Sequence, residues 1–213
     1  MKERFPDLQV LTGRIEGLVV KKDNPDLERL KKTVINEVKQ RYDLKSLKDN
    51  PVFRAYRDFF WRIKVDPTKT RPAAEALIRR ILAGKPFPRI NTFVDAYNLA
   101  SVKSEIALAA FDLDKIHGDL TMRFAFRGEE FLGIGMKKPM VLEGGEVVIS
   151  DEERLVAIYP HRDAEESKVT ETTENVLLLT CGVPGIQVEK LRTARQIAFD
   201  YVIRFCGGVG KFE

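Results

Sequence analysis

Apolar residues recur at helical spacing in five stretches of the chain. Three of these stretches begin at a proline, which suits the first helical turn because no backbone N–H is needed there: Pro25, Pro51 and Pro72. The spacing predicts helices over residues 25–42, from 51, from 72 to a stop at Gly84, over 90–111 and over 187–206. The second helix carries an aromatic stripe, which we interpret as core rather than as a base-stacking surface: Phe53, Tyr56, Phe60 and Trp61.

After residue 111 the period changes to the alternation that is typical of strands. Residues 120–126 and 131–134 predict a hairpin around a turn at 127–130, and residues 146–150 and 155–159 predict a second hairpin. A buried strand is expected at 175–180, a short strand at 18–20 and a loose tail at 207–210. The chain is therefore predicted to be an α+β domain, with a mixed or antiparallel β-sheet core flanked by helices.

The composition excludes several classes of protein. The chain has 213 residues, of which 44% are hydrophobic and 32% charged, so it can bury a core without metal or disulfide staples. No apolar run reaches the roughly 18 residues of a transmembrane helix, and no signal peptide is expected. Two cysteines make neither a disulfide framework nor a metal site. We therefore expect a cytoplasmic protein with reduced thiols, without a metal, a cofactor or a membrane partner.

Positive charge is concentrated in the first part of the chain. The formal net charge is +4, but residues 1–80 carry +8 and residues 81–213 carry −4. Basic side chains gathered in this way are typical of surfaces that meet phosphates. The residues that we predict to bind RNA are Arg57, Lys69, Arg71, Arg79 and Arg80. The alternative is an ordinary solvated helix face in a charge-rich protein.

Chemically versatile side chains are concentrated at residues 158–163, directly after an apolar strand. The segment holds Tyr159, His161, Arg162 and Asp163. An imidazole can move a proton near neutral pH, and a guanidinium binds a carboxylate or phosphate through two parallel hydrogen bonds. The segment therefore predicts a site for an anionic or amino-acid-like ligand, and the alternative is a capped turn with an arginine–carboxylate pair.

Generic catalytic motifs are absent from the sequence. No glycine-rich turn leads into Gly-Lys-Ser/Thr, no serine stands in Gly-x-Ser-x-Gly, and the two histidines are not in a metal-binding spacing. Asn91, Asp95 and Asn98 recur at a spacing that places them on one helix face. They are expected either to line a pocket or to cap neighbouring loops.

Three further segments share a distinctive order and spacing of residues. They read Arg71-Pro72-x-x-Glu75-Ala76-Leu77, Pro88-x-Ile90-Asn91-x-x-Val94-Asp95-x-Tyr97-Asn98 and Ala110-Phe111-Asp112-Leu113-Asp114. Together with residues 147–151 and 169–178, they resemble the B3/B4 domain of the β subunit of phenylalanyl-tRNA synthetase, over about residues 70–185. The whole chain is similar to freestanding proteins that carry this domain. The expected organisation is a helical, basic extension over 1–69, packed on a B3/B4-like domain over 70–213 that ends in a closing helix.

The resemblance implies a site for an aminoacyl-tRNA 3′ end or an amino acid, because in the synthetase this domain hydrolyses tyrosine wrongly attached to phenylalanine tRNA. Two positions depart from the family pattern. Ala109 stands in place of the family's editing histidine, and Leu179 in place of its tyrosine-recognising glutamate. Without a carboxylate to accept the phenol hydroxyl, a smaller or more apolar aminoacyl group is expected. No aminoacylation motif is visible, so the chain is not expected to charge tRNA.

We hypothesise a site in which His161 or Asp163 orders a water for ester hydrolysis. Arg162 would bind the terminal phosphate or the α-carbonyl. The other residues expected to bind substrate are Asn91, Asp95, Asn98, Tyr159 and Thr180. Two functions stay open: a deacylase that acts in trans on misacylated aminoacyl-tRNA, and a non-catalytic module that binds tRNA or an amino acid. A third reading is an enzyme that uses the same pocket for a small molecule.

Overall fold

The structure is a computed structural model that describes residues 1–213. Its five α-helices are α1 (Pro25–Arg41), α2 (Pro51–Arg62), α3 (Ala73–Leu82), α4 (Thr92–Ser104) and α5 (Val188–Cys206). The asparagines that precede the first two helices act as caps: the side-chain oxygen of Asn24 accepts the N–H of Asp26 at 2.8 Å, and that of Asn50 accepts the N–H of Val52 at 2.9 Å. These caps satisfy backbone donors that a helix start leaves free, which fixes where α1 and α2 begin.

All strand pairings are antiparallel. The strands are β1 (Val10–Glu16), β2 (Ala107–Asp112), β3 (Thr121–Phe124), β4 (Glu130–Phe131), β5 (Met140–Val141), β6 (Val147–Ser150), β7 (Leu155–Ile158), β8 (Arg162–Asp163), β9 (Val176–Cys181) and β10 (Val209–Phe212). The first sheet has the order β10-β1-β9-β2, the second has the order β3-β6-β7-β8, and β4 and β5 form a two-stranded ribbon. The predicted α+β class with a sheet core flanked by helices is confirmed.

The first sheet has a helical layer on one face and the second sheet on the other. A Cβ added at Gly13 of β1 would lie 2.5 Å from the Phe199 ring of α5, so α5 packs directly on this face. On the opposite face, Leu179 of β9 and Ile149 of β6 line the same cavity. The space between the two sheets is therefore where a ligand can be enclosed.

Most of the predicted helices and the β6–β7 hairpin are confirmed, and four local predictions are wrong. Residues 107–111 form β2 rather than the end of a helix, because α4 ends at Ser104. The predicted tail forms β10, and the early strand is β1 rather than residues 18–20. The predicted hairpin around residues 127–130 does not form, since β3 pairs with β6 and β4 pairs with β5.

The predicted N-terminal extension, residues 1–69, contributes strand β1 to the first sheet. Its strand β1 lies between β9 and β10, which belong to the predicted B3/B4-like segment. The division at residues 69 and 70 stays a prediction. None of the helices has the length and apolar character that a membrane crossing requires.

Candidate functional site

Five of the residues predicted to act together line one small cavity, which we call the inner cavity. It has a volume of about 140 Å³ and lies beside the turn between β7 and β8. The predicted residues in its wall are Asn98, Tyr159, His161, Arg162 and Asp163. They are joined there by Tyr97, Ala109, Ile149 and Cys181. The chemically versatile side chains of residues 158–163 thus lie beside Tyr97 and Asn98 of α4.

Tyr159 anchors the turn between β7 and β8. Its side chain is fully buried, and its hydroxyl donates a hydrogen bond to the carbonyl oxygen of Gly182 at 2.5 Å. The Tyr159–Pro160 peptide bond is cis, and the N–H of His161 donates to the carbonyl oxygen of Ile158 at 2.9 Å. Tyr159 therefore holds the turn in place, and with it the positions of His161 and Asp163 in the wall of the inner cavity.

The Asp163 carboxyl is poised to exchange a proton near neutral pH. Burial raises its pKa from 3.8 to about 7, against the opposing effect of the backbone N–H of Ala110. Strand β8 holds this residue, since Asp163 pairs with Ala157 of β7. A carboxyl group with such a pKa can accept a proton from water and release it again at physiological pH.

His161 is the second group of the inner cavity that can accept a proton. Burial lowers its pKa from 6.5 to about 4, and the charge of Arg162 adds to this effect, so the imidazole is neutral at pH 7. Its ring lies against Phe60, with centroids 5.8 Å apart. Its buried Nδ1 has no hydrogen-bond partner within the chain. A neutral imidazole carries a nitrogen lone pair that can accept a hydrogen bond or a proton.

The other polar side chains of the inner cavity either make no hydrogen bond within the chain or extend toward solvent. Tyr97 and Asn98 are half-buried, and neither makes a side-chain hydrogen bond within the chain. Burial raises the pKa of Tyr97, and the Asp163 carboxylate adds to this rise, so the phenol stays a donor. Arg162 is exposed and donates from Nη1 to the carbonyl oxygen of Ile134 at 3.3 Å. The cavity therefore offers hydrogen-bond donors beside two proton acceptors.

Three residues predicted to bind substrate do not line the inner cavity. Asn91 caps α4, since its side-chain oxygen accepts the N–H of Val94 at 2.8 Å. Asp95 is buried against Lys31, with Oδ2 and Nζ 2.6 Å apart. Thr180 is fully buried on β9, where its neighbour Cys181 lines the cavity. Successive side chains of a strand point to opposite faces, so Thr180 is directed away from this space.

A second and larger space, the apolar cavity, lies on the other side of Ile149. It has a volume of about 490 Å³ and shares Ile149 with the inner cavity. Its apolar wall includes Phe5, Leu8, Val10, Leu120, Met122 and Leu179. Polar side chains occur at its edge, among them Arg14 and Asp119. A cavity of this size and lining is suited to an apolar group of a small ligand.

The two positions at which the sequence departs from the family pattern are direct neighbours. Ala109 of β2 pairs with Leu179 of β9 across the first sheet. Ala109 lines the inner cavity and Leu179 lines the apolar cavity. The boundary between the two cavities is therefore apolar at the positions where the resemblance implies a histidine and a glutamate.

A third space, the polar groove, lies on the outer side of the inner cavity. It has a volume of about 530 Å³ and runs between residues 63–70 and residues 140–146. Ile158 and His161 line both the polar groove and the inner cavity. The groove also contains Arg4, Lys64 and Lys69. His161 therefore stands between a polar surface groove and the enclosed site.

The basic residues predicted to bind RNA divide into two groups. Arg57 and Arg79 both contact the fully buried carboxylate of Glu75, at 2.9 Å and 2.7 Å. Lys69, Arg71 and Arg80 are exposed, although Arg80 donates to the carbonyl oxygen of Pro86. The first pair neutralises a buried charge, so only the second group has its cations turned to solvent. Their contact with RNA stays a prediction.

Sequence reasoning did not place Tyr97 in the inner cavity, because it reads as an apolar member of α4. The other two residues carry a signal in their chemistry. The thiol of Cys181 is a candidate partner of His161 for nucleophilic catalysis, and both line the inner cavity. Lys64 belongs to the basic cluster between residues 54 and 80 that can meet phosphates. Their positions in the cavities depend on the packing of distant segments.

Known proteins resemble this chain over much of its length. A family model for the B3/4 domain matches residues 55–211. The β subunit of phenylalanine–tRNA ligase from Fusobacterium nucleatum is 33% identical over 90 residues, covering 42% of this chain and 11% of that protein. The corresponding subunit from Nitrobacter winogradskyi is 30% identical over 141 residues, covering 66% of this chain and 17% of that protein. The chain spans less than a fifth of the length of these relatives.

One solved structure shares the fold. It is an N-terminal fragment of the phenylalanyl-tRNA synthetase β subunit from Pyrococcus horikoshii. The TM-score is 0.50 and the sequence identity is 16%, and the match covers 98% of this chain and 47% of that fragment. At this identity the likeness shows the fold alone, and it agrees with the α+β architecture described above.

Proposed function

Because this chain belongs to the B3/4 domain family, we propose that it binds the aminoacyl end of tRNA and hydrolyses misacylated species in trans. The observation that carries the proposal is the pair of proton acceptors in the inner cavity. Asp163 has a pKa of about 7, and His161 is neutral at that pH. Both lie in one enclosed space beside the uncommitted amide of Asn98.

The chemistry requires little beyond positioning, since an ester bond to tRNA is activated. Asp163 or His161 accepts a proton from a bound water as the water oxygen attacks the ester carbonyl carbon. The carbon–oxygen bond to the ribose then breaks, and the ribose oxygen takes up a proton. The amide of Asn98 can donate to the carbonyl oxygen, where negative charge develops. Arg162 can contact the terminal phosphate from the rim.

The apolar cavity suits the side chain of the amino acid that is removed. It adjoins the inner cavity at Ile149, and its wall at Leu179 offers no acceptor for a hydroxyl. A site selects for a hydroxyl only when it holds a buried polar partner for it. The proposed substrates are therefore aminoacyl-tRNAs with apolar side chains rather than tyrosyl-tRNA.

The first experiment measures deacylation of a panel of correctly and wrongly paired aminoacyl-tRNAs, with spontaneous hydrolysis subtracted. We expect fast release from one or a few species with apolar side chains. His161→Ala, Arg162→Ala and Asp163→Asn should each lower the single-turnover rate at least about tenfold. His117→Ala is the matched control, because this histidine is exposed and lies outside the inner cavity. Unchanged rates in all three variants would contradict the assigned roles.

The second candidate function is a module that binds tRNA or a free amino acid without hydrolysis. The apolar pair Ala109 and Leu179 favours it, because both positions implied to carry polar chemistry lack it. In that case no species in the panel would be deacylated faster, while binding of tRNA would persist and weaken with salt. Absence of both activity and tRNA binding would direct the search to free amino acids.

A further inference from the structure

Two tyrosines beside the inner cavity have hydroxyls that bond to the backbone. The hydroxyl of Tyr159 donates to the carbonyl oxygen of Gly182 at 2.5 Å. The hydroxyl of Tyr56 donates to the carbonyl oxygen of Cys181 at 2.5 Å and accepts the N–H of Ala107 at 3.0 Å. Both tyrosines are fully buried, and a buried phenol normally has such a partner. These two hydroxyls therefore serve the fold.

The hydroxyl of Tyr97 differs from these two, because it has no hydrogen-bond partner within the chain. Tyr97 lines the inner cavity and is only half-buried, so its hydroxyl is accessible from that space. Its ring packs against the fully buried ring of Phe93, one helical turn earlier, with centroids 5.6 Å apart. A packed ring with an accessible and unpartnered hydroxyl offers that hydroxyl to a ligand.

The first turn of α4 fixes the positions of the two polar residues that follow it. Asn91 caps the helix, since its side-chain oxygen accepts the N–H of Val94 at 2.8 Å. Asp95 forms its buried ion pair with Lys31. Both contacts are made outside the inner cavity, so the second turn presents Tyr97 to the cavity on a helix that is already anchored.

The phenol of Tyr97 keeps its proton at neutral pH. Burial raises the pKa of this phenol, and the charge of the Asp163 carboxylate adds to the rise. A protonated phenol donates a hydrogen bond and carries no charge of its own. In a space shielded from water, a fixed donor of this kind stabilises negative charge that develops on a reacting oxygen.

We propose that Tyr97 is a further catalytic residue, whose hydroxyl donates a hydrogen bond to the ester carbonyl oxygen of the bound substrate. As the oxygen of water bonds to the carbonyl carbon, an electron pair of the C=O bond moves onto this oxygen. Tyr97 and the amide of Asn98 stabilise the negative charge until the C=O bond re-forms and the carbon–oxygen bond to the ribose breaks. The proton lost by the water passes through Asp163 or His161 to the ribose oxygen. This inference rests on the proposed function and adds a second donor to it.

The test compares Tyr97→Phe with the wild type in single-turnover deacylation of a species that the wild type hydrolyses. The substitution removes one oxygen atom and keeps the packed ring. The rate constant should fall about 100-fold, while the Kd of the aminoacyl-tRNA stays within about twofold. Tyr201→Phe is the matched control, because Tyr201 is also half-buried without a hydrogen bond and lies on α5, outside the inner cavity. Equal rate constants for the wild type and Tyr97→Phe would overturn the proposal.

Two further readouts separate a catalytic role of Tyr97 from a structural one. The free energy of unfolding in urea should be the same for Tyr97→Phe and the wild type, because the hydroxyl has no partner in the chain. The rate constant should be lower at every pH, with the same apparent pKa. A loss of stability that accompanies the loss of rate, or a shifted apparent pKa with an unchanged maximal rate, would assign the hydroxyl to the fold or to Asp163 and contradict the proposal.

Two stable analogues distinguish failure of this inference from failure of the proposed function. One joins an apolar amino acid to 3′-amino-3′-deoxyadenosine through an amide and mimics the ground state. The other is an α-aminophosphonate ester of adenosine and mimics the tetrahedral intermediate. Tyr97→Phe should weaken binding of the phosphonate by about the factor lost in rate and leave binding of the amide unchanged.

Each failure has its own signature in these measurements. Wild-type deacylation together with phosphonate binding that does not depend on Tyr97 would overturn this inference and keep the proposed function. A wild type that hydrolyses no aminoacyl-tRNA would reject the proposed function, and phosphonate binding that depends on Tyr97 would still identify its hydroxyl as a donor to a tetrahedral anion.

Discussion

Burial shifts the pKa values of two residues of the inner cavity, Asp163 and His161, in opposite directions. The two shifts therefore make the stability of the fold depend on pH in opposite ways. Burial raises the pKa of Asp163 to about 7 and lowers the pKa of His161 to about 4. Each shift keeps its group uncharged over a wider pH range than in the unfolded chain. The folded state is consequently penalised by alkali at Asp163 and by acid at His161.

Asp163→Asn should remove a loss of stability that develops as the pH rises. The folded pKa of about 7 lies above the ordinary value of 3.8, so this carboxyl favours folding below pH 3.8 and loses that contribution as the pH rises through 7. The advantage of Asp163→Asn over the wild type should therefore grow across this range. Urea unfolding at a series of pH values measures it, and parallel pH profiles for the two proteins would contradict the assigned pKa.

His161→Gln should give the opposite trend. The folded pKa of about 4 lies below the ordinary value of 6.5, so the neutral imidazole contributes stability above pH 6.5 that is lost as the pH falls toward 4. The variant should lose less stability than the wild type on acidification. The same urea series checks this, and His117→Gln serves as the exposed control.

Lys31 and Asp95 form a buried ion pair that holds α1 against α4. Their side chains are only 6% and 3% exposed. Lys31→Met should destabilise the fold by about 3–5 kcal/mol, because it leaves a buried carboxylate without its cation. The double variant Lys31→Met/Asp95→Asn should recover much of this loss, whereas Lys32→Met on the exposed side of α1 should have little effect. Urea unfolding of the three variants measures the differences.

At the scale of elements, hydrophobic periodicity predicted the helices and hairpins that form from local sequence. It missed the strands whose formation depends on pairing with distant segments. It identified α1, α2, α3, α5, β9 and the β6–β7 hairpin. It extended the helix of α4 into β2 because a run of alanine, leucine and phenylalanine has the same apolar pattern in a buried strand and a buried helix. The glycines before β10 read as a loose tail, since pairing with β1 is invisible in local sequence.

In the candidate site, too, the sequence predicted the local turn but not the contacts between distant segments. The turn at residues 158–163 was identified from residue types alone, and Asn98 joins it in the inner cavity. Asn91 and Asp95 share a predicted helix face with Asn98 but meet other partners. Asn91 stands before the first turn of α4 as its cap, and Asp95 is held by Lys31 from a different helix.

The contact between α5 and the first sheet depends on glycine. Added Cβ atoms at Gly13 and Gly210 would lie 2.5 Å and 2.6 Å from the ring of Phe199. Gly13→Ala should therefore destabilise the fold by about 1–3 kcal/mol through overpacking. Phe199→Leu in the same chain should offset part of this loss. A double-mutant cycle by urea unfolding measures the coupling, and simple additivity would contradict the contact.

At the scale of the whole molecule, three spaces follow one another through shared wall residues. The polar groove shares His161 with the inner cavity, and the inner cavity shares Ile149 with the apolar cavity. Under the proposed function, the inner cavity would take the ester and the adjoining apolar cavity would take the amino-acid side chain.

Ile149→Phe tests this arrangement, because the larger ring would narrow the space shared by the two cavities. We expect turnover of esters with large apolar side chains to fall about tenfold or more relative to an alanyl ester. Competition between the two esters in single-turnover deacylation gives the ratio, and far-UV circular dichroism checks that the variant is folded. An unchanged ratio would contradict the assignment of the apolar cavity to the amino-acid side chain.

The position of β1 inside the first sheet has a consequence for how the chain is made. During translation β1 emerges from the ribosome long before β9 and β10, yet these are its only two strand neighbours. Both of its hydrogen-bonding edges stay open while most of the chain is being synthesised. The sheet therefore closes late, through contacts between segments far apart in sequence, which are slow to form. Until then the nascent chain presents an unpaired strand whose free edges are open to non-native pairing.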